Sequence, residues 1–166
     1  MTHRNRPARE SAIPPKFTEC IFITCCTRRR TRVLDNKEAH GVLLSLWGDR
    51  SRWSITRYVI MPDHIHLMPF ASRGSRINLR SWAAWWKAHA TRELGFTKGE
   101  LWLRDLWDTR MRNADHYAAK LVYMKENPAR AGLVTSSDLW PYQGDLLSIG
   151  GTVVPCHSEP DAPQAS

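Results

Sequence analysis

The chain has 166 residues, with 24 Lys+Arg against 16 Asp+Glu, a formal charge of +8, and 42% hydrophobic residues. That length fits one compact domain with a real core and leaves no room for two ordinary ones. No apolar run is long enough to cross a bilayer, and residues 1–15 carry Arg and Pro with no apolar signal core, so a membrane span or secretory signal is not expected. Cys20, Cys25, Cys26 and Cys156 form no C-x-x-C pair, which points away from a zinc framework or disulfide scaffold and towards reduced thiols in the cytoplasm. The positive charge is concentrated at the front of the chain, and Arg outnumbers Lys 18 to 6. Guanidinium forks suit phosphate oxygens, so a polyanion is the natural partner, nucleic acid ahead of membrane. A merely soluble basic protein explains the charge alone equally well.

Residues 1–16 read as a flexible basic arm, 17–147 as the domain and 148–166 as a disordered tail. Residues 17–27 (FTECIFITCCT) are aromatic and β-branched, the composition of a central strand, and the charged RRRTR loop follows. After Asp35 or Asn36 as N-cap, the apolar spacing of residues 37–47 predicts an amphipathic helix ending at Gly48. Residues 53–61 and 64–70 should form an antiparallel hairpin turning at Pro62-Asp63. Residues 78–94 form a second helix stopped by Gly95, with Trp82 and Trp86 on its apolar stripe. A short edge strand is expected at 101–103, and a last helix at 113–126, ended by Asn127-Pro128. This order suggests an α+β layer close to the split βαβ pattern, one antiparallel sheet with helices packed on it.

Two places carry chemistry. In Met61-Pro62-Asp63-His64-Ile65-His66-Leu67-Met68, strand alternation puts His64 and His66 on one face and Ile65 and Leu67 on the other. Two neutral imidazoles on one face begin a divalent-metal site but do not complete it, and two hydrogen-bonded surface histidines fit the pattern as well. Asp63 reads as the turn residue, with orientation of an imidazole as the alternative. On the last helix Ala114, Ala118, Leu121 and Val122 define an apolar stripe, which leaves Tyr123 and Asn127 away from the core, one turn apart, facing a common space. A Tyr with its hydroxyl in water and an Asn that stops the helix before Pro128 would look the same.

These residues resemble a known family. MPDHIHLM resembles the histidine-hydrophobic-histidine (HUH) motif of single-tyrosine endonucleases, and YMKENPARAGLV resembles the Y-x-x-x-N-P segment of their REP-associated tyrosine transposase branch. The likeness runs over about residues 17–143 and takes in Trp86-Lys87 and the LWLRDLWD stretch. It implies a ferredoxin-like fold and a metal-dependent single-strand DNA strand transferase acting at palindromic hairpins, as a monomer or homodimer. Tyr123 would be the nucleophile, giving a 5′-phosphotyrosine link. His64 and His66 would bind Mg²⁺ or Mn²⁺ with Asn127 as third ligand, where many relatives have glutamine. Glu126, next to Asn127, is the alternative oxygen ligand.

For DNA capture the phosphate-contact residues are Arg28, Arg29, Arg30 and Arg32 after the first strand, Arg73, Arg76, Arg80 and Lys87 around the second helix, Arg110 and Arg112 near the LWD stretch, and Lys120 one turn before Tyr123. Trp85, about 100° around the helix from Trp86, is the expected stacking face for an unpaired base. Two competing readings are a hairpin-binding module that no longer cuts and a zinc hydrolase built on the histidines. The sequence holds no H-E-x-x-H spacing to support the second.

Overall fold

The computed structural model describes residues 17–48, 53–72, 78–149 and 152–155. Six strands form one sheet in the order β4-β1-β3-β2-β5-β6, with β1 Phe17–Cys26, β2 Trp53–Ile60, β3 His64–Ser72, β4 Trp107–Arg110, β5 Gln143–Ile149 and β6 Thr152–Pro155. Every neighbouring pair is antiparallel. Helix α1 (Lys37–Gly48) joins β1 to β2 and α2 (Leu79–Glu93) joins β3 to β4, so the first four strands are a ferredoxin-like β-α-β-β-α-β unit in the order 4-1-3-2. Helix α3 (Ala114–Arg130) follows, and β5 and β6 extend the sheet beyond β2.

The local signals explain most boundaries. Asn36 rather than Asp35 caps α1, its side-chain oxygen accepting from the Ala39 amide at 2.9 Å. Asn78 and Asn113 cap α2 and α3 in the same way. Helix α2 stops where Gly95 takes φ 74° and the Phe96 amide reaches back to the Thr91 carbonyl at 2.9 Å, a turn that a side chain at Gly95 would strain.

Strand alternation divides the core between the two faces of the sheet. Ile21, Ile23 and Cys25 of β1, Tyr58 and Ile60 of β2, and Ile65 and Leu67 of β3 pack under α1 and α2 with Trp47, Trp82 and Trp86. Cys20 and Phe22 of β1, Val59 of β2, and Met68 and Phe70 of β3 pack under α3 with Tyr117, Met124 and Trp140. Each large side chain fully buried in this way contributes about 1.5–3 kcal/mol. The α3 face carries the candidate chemistry.

Four sequence expectations change. The expected edge strand at 101–103 makes only the isolated bridge Thr27↔Trp102, because Leu101 and Trp102 are drawn into the core, with the Trp102 ring 5.5 Å from that of Trp86. The true edge strand is β4, whose four exposed residues show no apolar alternation. Helix α3 does not end at Asn127 but runs through Pro128 to Arg130. Pro128 is buried, and that packing offsets the backbone bond it cannot make. The buried stripe of α3 is Tyr117, Met124 and Pro128; Ala118 and Val122, expected in the core, are exposed. Beyond residue 147, Ser148 and Ile149 close β5 and Thr152–Pro155 pair with it as β6, so strand pairing extends into the segment read as a tail. The arm at 1–16 lies outside the described residues.

Candidate active site

The site is built where β1, β3 and α3 meet. Cross-strand register places Thr24 opposite His66 and Cys26 opposite His64, so these side chains share the α3 face while Ile65 and Leu67 enter the opposite core. His66 is 3% exposed; its Nδ1 lies 2.9 Å from Thr24 Oγ1, its ring stacks on Phe22 at 5.2 Å, and its Nε2 lies 3.3 Å from Asn127 Nδ2 of α3. Burial first, then the charges of His64, Lys120 and Arg30, push its pKa down to about 3, so the ring is neutral near pH 7. The His64 ring sits 4.8 Å from that of His66, and its Nδ1 lies 2.7 Å from Asp63 Oδ1. Burial also lowers the His64 pKa, against the opposing pull of Asp63.

Asp63 therefore does more than turn the chain. Its second oxygen receives Arg30 Nε at 2.9 Å, which forms the series Arg30–Asp63–His64. Burial works to raise the Asp63 pKa, but the His64 hydrogen bond and the charges of His64 and Arg30 outweigh it and hold the carboxyl below its ordinary value. The turn itself is fixed because the Asp63 carbonyl accepts both the amide and the hydroxyl of Thr27, at 2.9 and 3.0 Å. Arg29 and Arg30 adopt φ 57° and 55°, left-handed values that cost roughly 1 kcal/mol each for residues other than glycine. That reversal folds the basic loop back, so that Arg30 also donates to Cys26 Sγ at 2.8 Å.

Tyr123 comes from α3 to the same place. Its ring is edge-on to His66 at 5.5 Å and to Phe22 at 6.0 Å. Lys120 Nζ lies 4.7 Å from the Phe22 centroid and 5.2 Å from that of Tyr123, and the Arg130 guanidinium is 6.0 Å from the Tyr123 ring. Glu126 turns the other way and accepts from Ser137 Oγ at 2.9 Å, while Asn127 meets His66.

The donor set fits a divalent cation in part. With Nδ1 of both histidines engaged by Asp63 and Thr24, Nε2 of each can offer its lone pair, and the Asn127 amide can present oxygen to the same space. Two imidazole nitrogens and one amide oxygen leave positions for phosphate and water oxygens. Among the described residues no group of three or more His, Cys, Asp or Glu is placed to hold a metal ion.

The residues read as DNA contacts separate sharply. Arg29, Arg32 and Arg112 are exposed. Arg28 donates to the Gly99 carbonyl at 3.0 Å, Arg80 pairs with Asp108 at 3.1 Å, and Arg110 pairs with Glu19. Arg30 belongs to the Asp63 series described above. Lys87 is 8% exposed and donates to the carbonyls of Leu103 and Arg104, so it is a structural pin rather than a free phosphate contact. Arg73 and Arg76 lie outside the described residues. Trp85 is 37% exposed beside His89, but Trp107 of β4 is 59% exposed and stands opposite Thr24, hence on the face that holds His66. The sequence signal for Trp107 was the LWD stretch; its face needed the register. Thr24 and Phe22 carried no signal beyond their strand.

Among the described residues, no helix is long and apolar enough to cross a membrane. No protein-family model matches the sequence, and no curated protein matches it. A solved REP-associated tyrosine transposase bound to a REP hairpin is similar, with 22% identity and a TM-score of 0.67 over 84% of this chain and 82% of that one. The chain shares that transposase's fold. A second similar structure, a candidate transposase from Deinococcus radiodurans R1, has 17% identity and a TM-score of 0.47 over 76% of this chain and 97% of that one.

Proposed function

We propose that the protein is a metal-dependent DNA strand transferase of the HUH type that cuts and rejoins single-stranded DNA beside a hairpin. The observation that carries this reading is the convergence of His64 and His66 from β3 with Tyr123 and Asn127 from α3 on one face of the sheet. The similar transposase solved with a REP hairpin supports the choice of DNA.

The Tyr123 oxygen attacks the phosphorus of a phosphodiester. The bond from phosphorus to the 3′ oxygen breaks, the phenol loses its proton and the 3′ oxygen leaves as a hydroxyl, giving a 5′-phosphotyrosine link. That link keeps the energy of the broken bond, so rejoining requires no nucleotide. A bound Mg²⁺ or Mn²⁺ would supply Lewis acidity at a non-bridging oxygen. His64, His66 and Asn127 would hold that ion, and Asp63 and Thr24 fix the ring orientations that make this possible. Lys120 brings a positive charge to the phosphate, and Trp107 offers its open ring face to an unpaired base beside it.

The test is incubation of the full chain with hairpin-bearing single-stranded DNA labelled at its 3′ end, with and without Mn²⁺. The labelled strand should travel with the protein under denaturing conditions only when Mn²⁺ is present, and not at all with Tyr123→Phe. Absence of an adduct with the wild-type protein, or an undiminished one with Tyr123→Phe, removes the proposal. Tight hairpin binding unaffected by EDTA with no cleavage would then favour a silent binding module.

A further inference from the structure

On the far side of the sheet from Tyr123, a cleft of about 1040 Å³ lies between α2 and the segment 95–104. Its rim carries Arg28, Arg92, Lys98 and Arg104, and its apolar surface includes Phe96 and Trp102. Lys87 also lines it, with its ammonium committed to the Leu103 and Arg104 carbonyls. No carboxylate lines the cleft; Glu93, Glu100 and Asp105 belong to the same stretch of chain but not to its walls. Arg92, Lys98 and Arg104 are exposed. None of the three takes part in an ion pair among the described residues.

The placement of these charges identifies the ligand. The four cations come from separate pieces of chain, Arg28 from the exit of β1, Arg92 from α2, and Lys98 and Arg104 from the segment 95–104, with Phe96 and Trp102 among them. That arrangement follows a chain of phosphates, and an aromatic floor accepts what lies between them. The cleft also reaches the exit of β1, since Arg28 lines it. Arg28 directly follows Thr27, whose amide and hydroxyl hold the Asp63 carbonyl one residue before His64.

We infer that this cleft anchors the phosphodiester backbone of the same DNA strand, away from the reacting phosphate. The inference rests on the proposed function for the identity of the polyanion. Its rim cations contribute affinity and no chemistry.

The experiment measures binding of a fluorescent hairpin oligonucleotide with single-stranded flanks, by anisotropy across a salt titration, with the metal-free full chain. The variant is Arg92→Gln, Lys98→Gln, Arg104→Gln combined. Each phosphate contact contributes about 0.7 to the slope of log affinity against log salt for a single strand and about 0.9 for a duplex, so three lost contacts make the slope shallower by about 2 to 3. At about 0.1 M salt the affinity falls on the order of 10²-fold. The charge-keeping variant Arg92→Lys, Lys98→Arg, Arg104→Lys should retain the wild-type slope, which separates charge from folding. A slope changed by less than about 0.5 in the neutral variant overturns the inference, as does equal displacement of DNA by polyglutamate, which would mark the rim as a protein-docking surface. If the wild type forms no tyrosine adduct yet the slope falls as expected, the cleft stands and the strand-transfer reading fails. An adduct with an unchanged slope means the reverse.

Discussion

Replacing Lys87 with Met tests whether a buried cation here is architecture or a contact for DNA. Lys87 reaches from α2 to the carbonyls of Leu103 and Arg104, the second at 3.2 Å, in the segment that leads into β4. Met keeps most of the stem volume, so little packing is lost. Two charge-assisted hydrogen bonds disappear and two carbonyls lose their donor, at roughly 1–3 kcal/mol each where water cannot replace it. Arg104 is exposed and its carbonyl regains water, while removing a buried ammonium recovers desolvation. The net cost is about 2 kcal/mol. In urea, with a slope of about 1–3 kcal/mol per molar, the midpoint should fall by about 1 M while the slope itself is unchanged. DNA binding at temperatures where the variant stays folded should keep the wild-type salt dependence. A midpoint within about 0.2 M of wild type, or a salt slope reduced by one phosphate contact, would refute the structural role.

Other outcomes follow from the same geometry. Stability of the metal-free protein should fall as pH drops from about 6.5 towards about 3, because the unfolded His66 takes up a proton there that the folded ring, with a pKa of about 3, refuses. The full effect is on the order of 5 kcal/mol; His66→Gln should flatten it, and parallel acid-unfolding curves for the two proteins would contradict the assignment. Asp63→Ala frees the His64 ring and should weaken Mn²⁺ binding by about 10–100-fold in calorimetry, with an unchanged affinity counting against the Arg30–Asp63–His64 series. Trp107→Ala should leave the melting temperature unchanged, since the ring is 59% exposed, and weaken single-strand binding by about 1–3 kcal/mol. Equal binding by that variant would leave Trp107 without a role.

What could be read in the sequence, and what could not, has a physical pattern. The histidine strand was legible because a period of two needs only the strand itself to sort Ile65 and Leu67 from His64 and His66. The capped helices α1 and α2 were legible because Asn36, Asn78 and Gly95 act locally. Helix α3 was misjudged in its face and its end because Tyr117 and Pro128, which look polar-tipped and helix-breaking, are buried against the sheet. Strand β4 was missed because Trp107–Arg110 is exposed throughout and shows no apolar alternation. Thr24, Asp63 and Phe22 owe their places around His66 and His64 to register and to a turn held from β1, which are long-range facts. Lys87 reads in the sequence as a phosphate contact, and only the neighbouring carbonyls show why it is inside.

The most direct measurement is mass-spectrometric mapping of a covalent DNA adduct formed with Mn²⁺, after nuclease trimming and tryptic digestion. The account predicts a nucleotide mass on the peptide spanning residues 121–125, which contains Tyr123, absent when His64 and His66 are replaced by Ala. An adduct on Tyr117 or Tyr142 instead, or one that survives loss of both histidines, would contradict it.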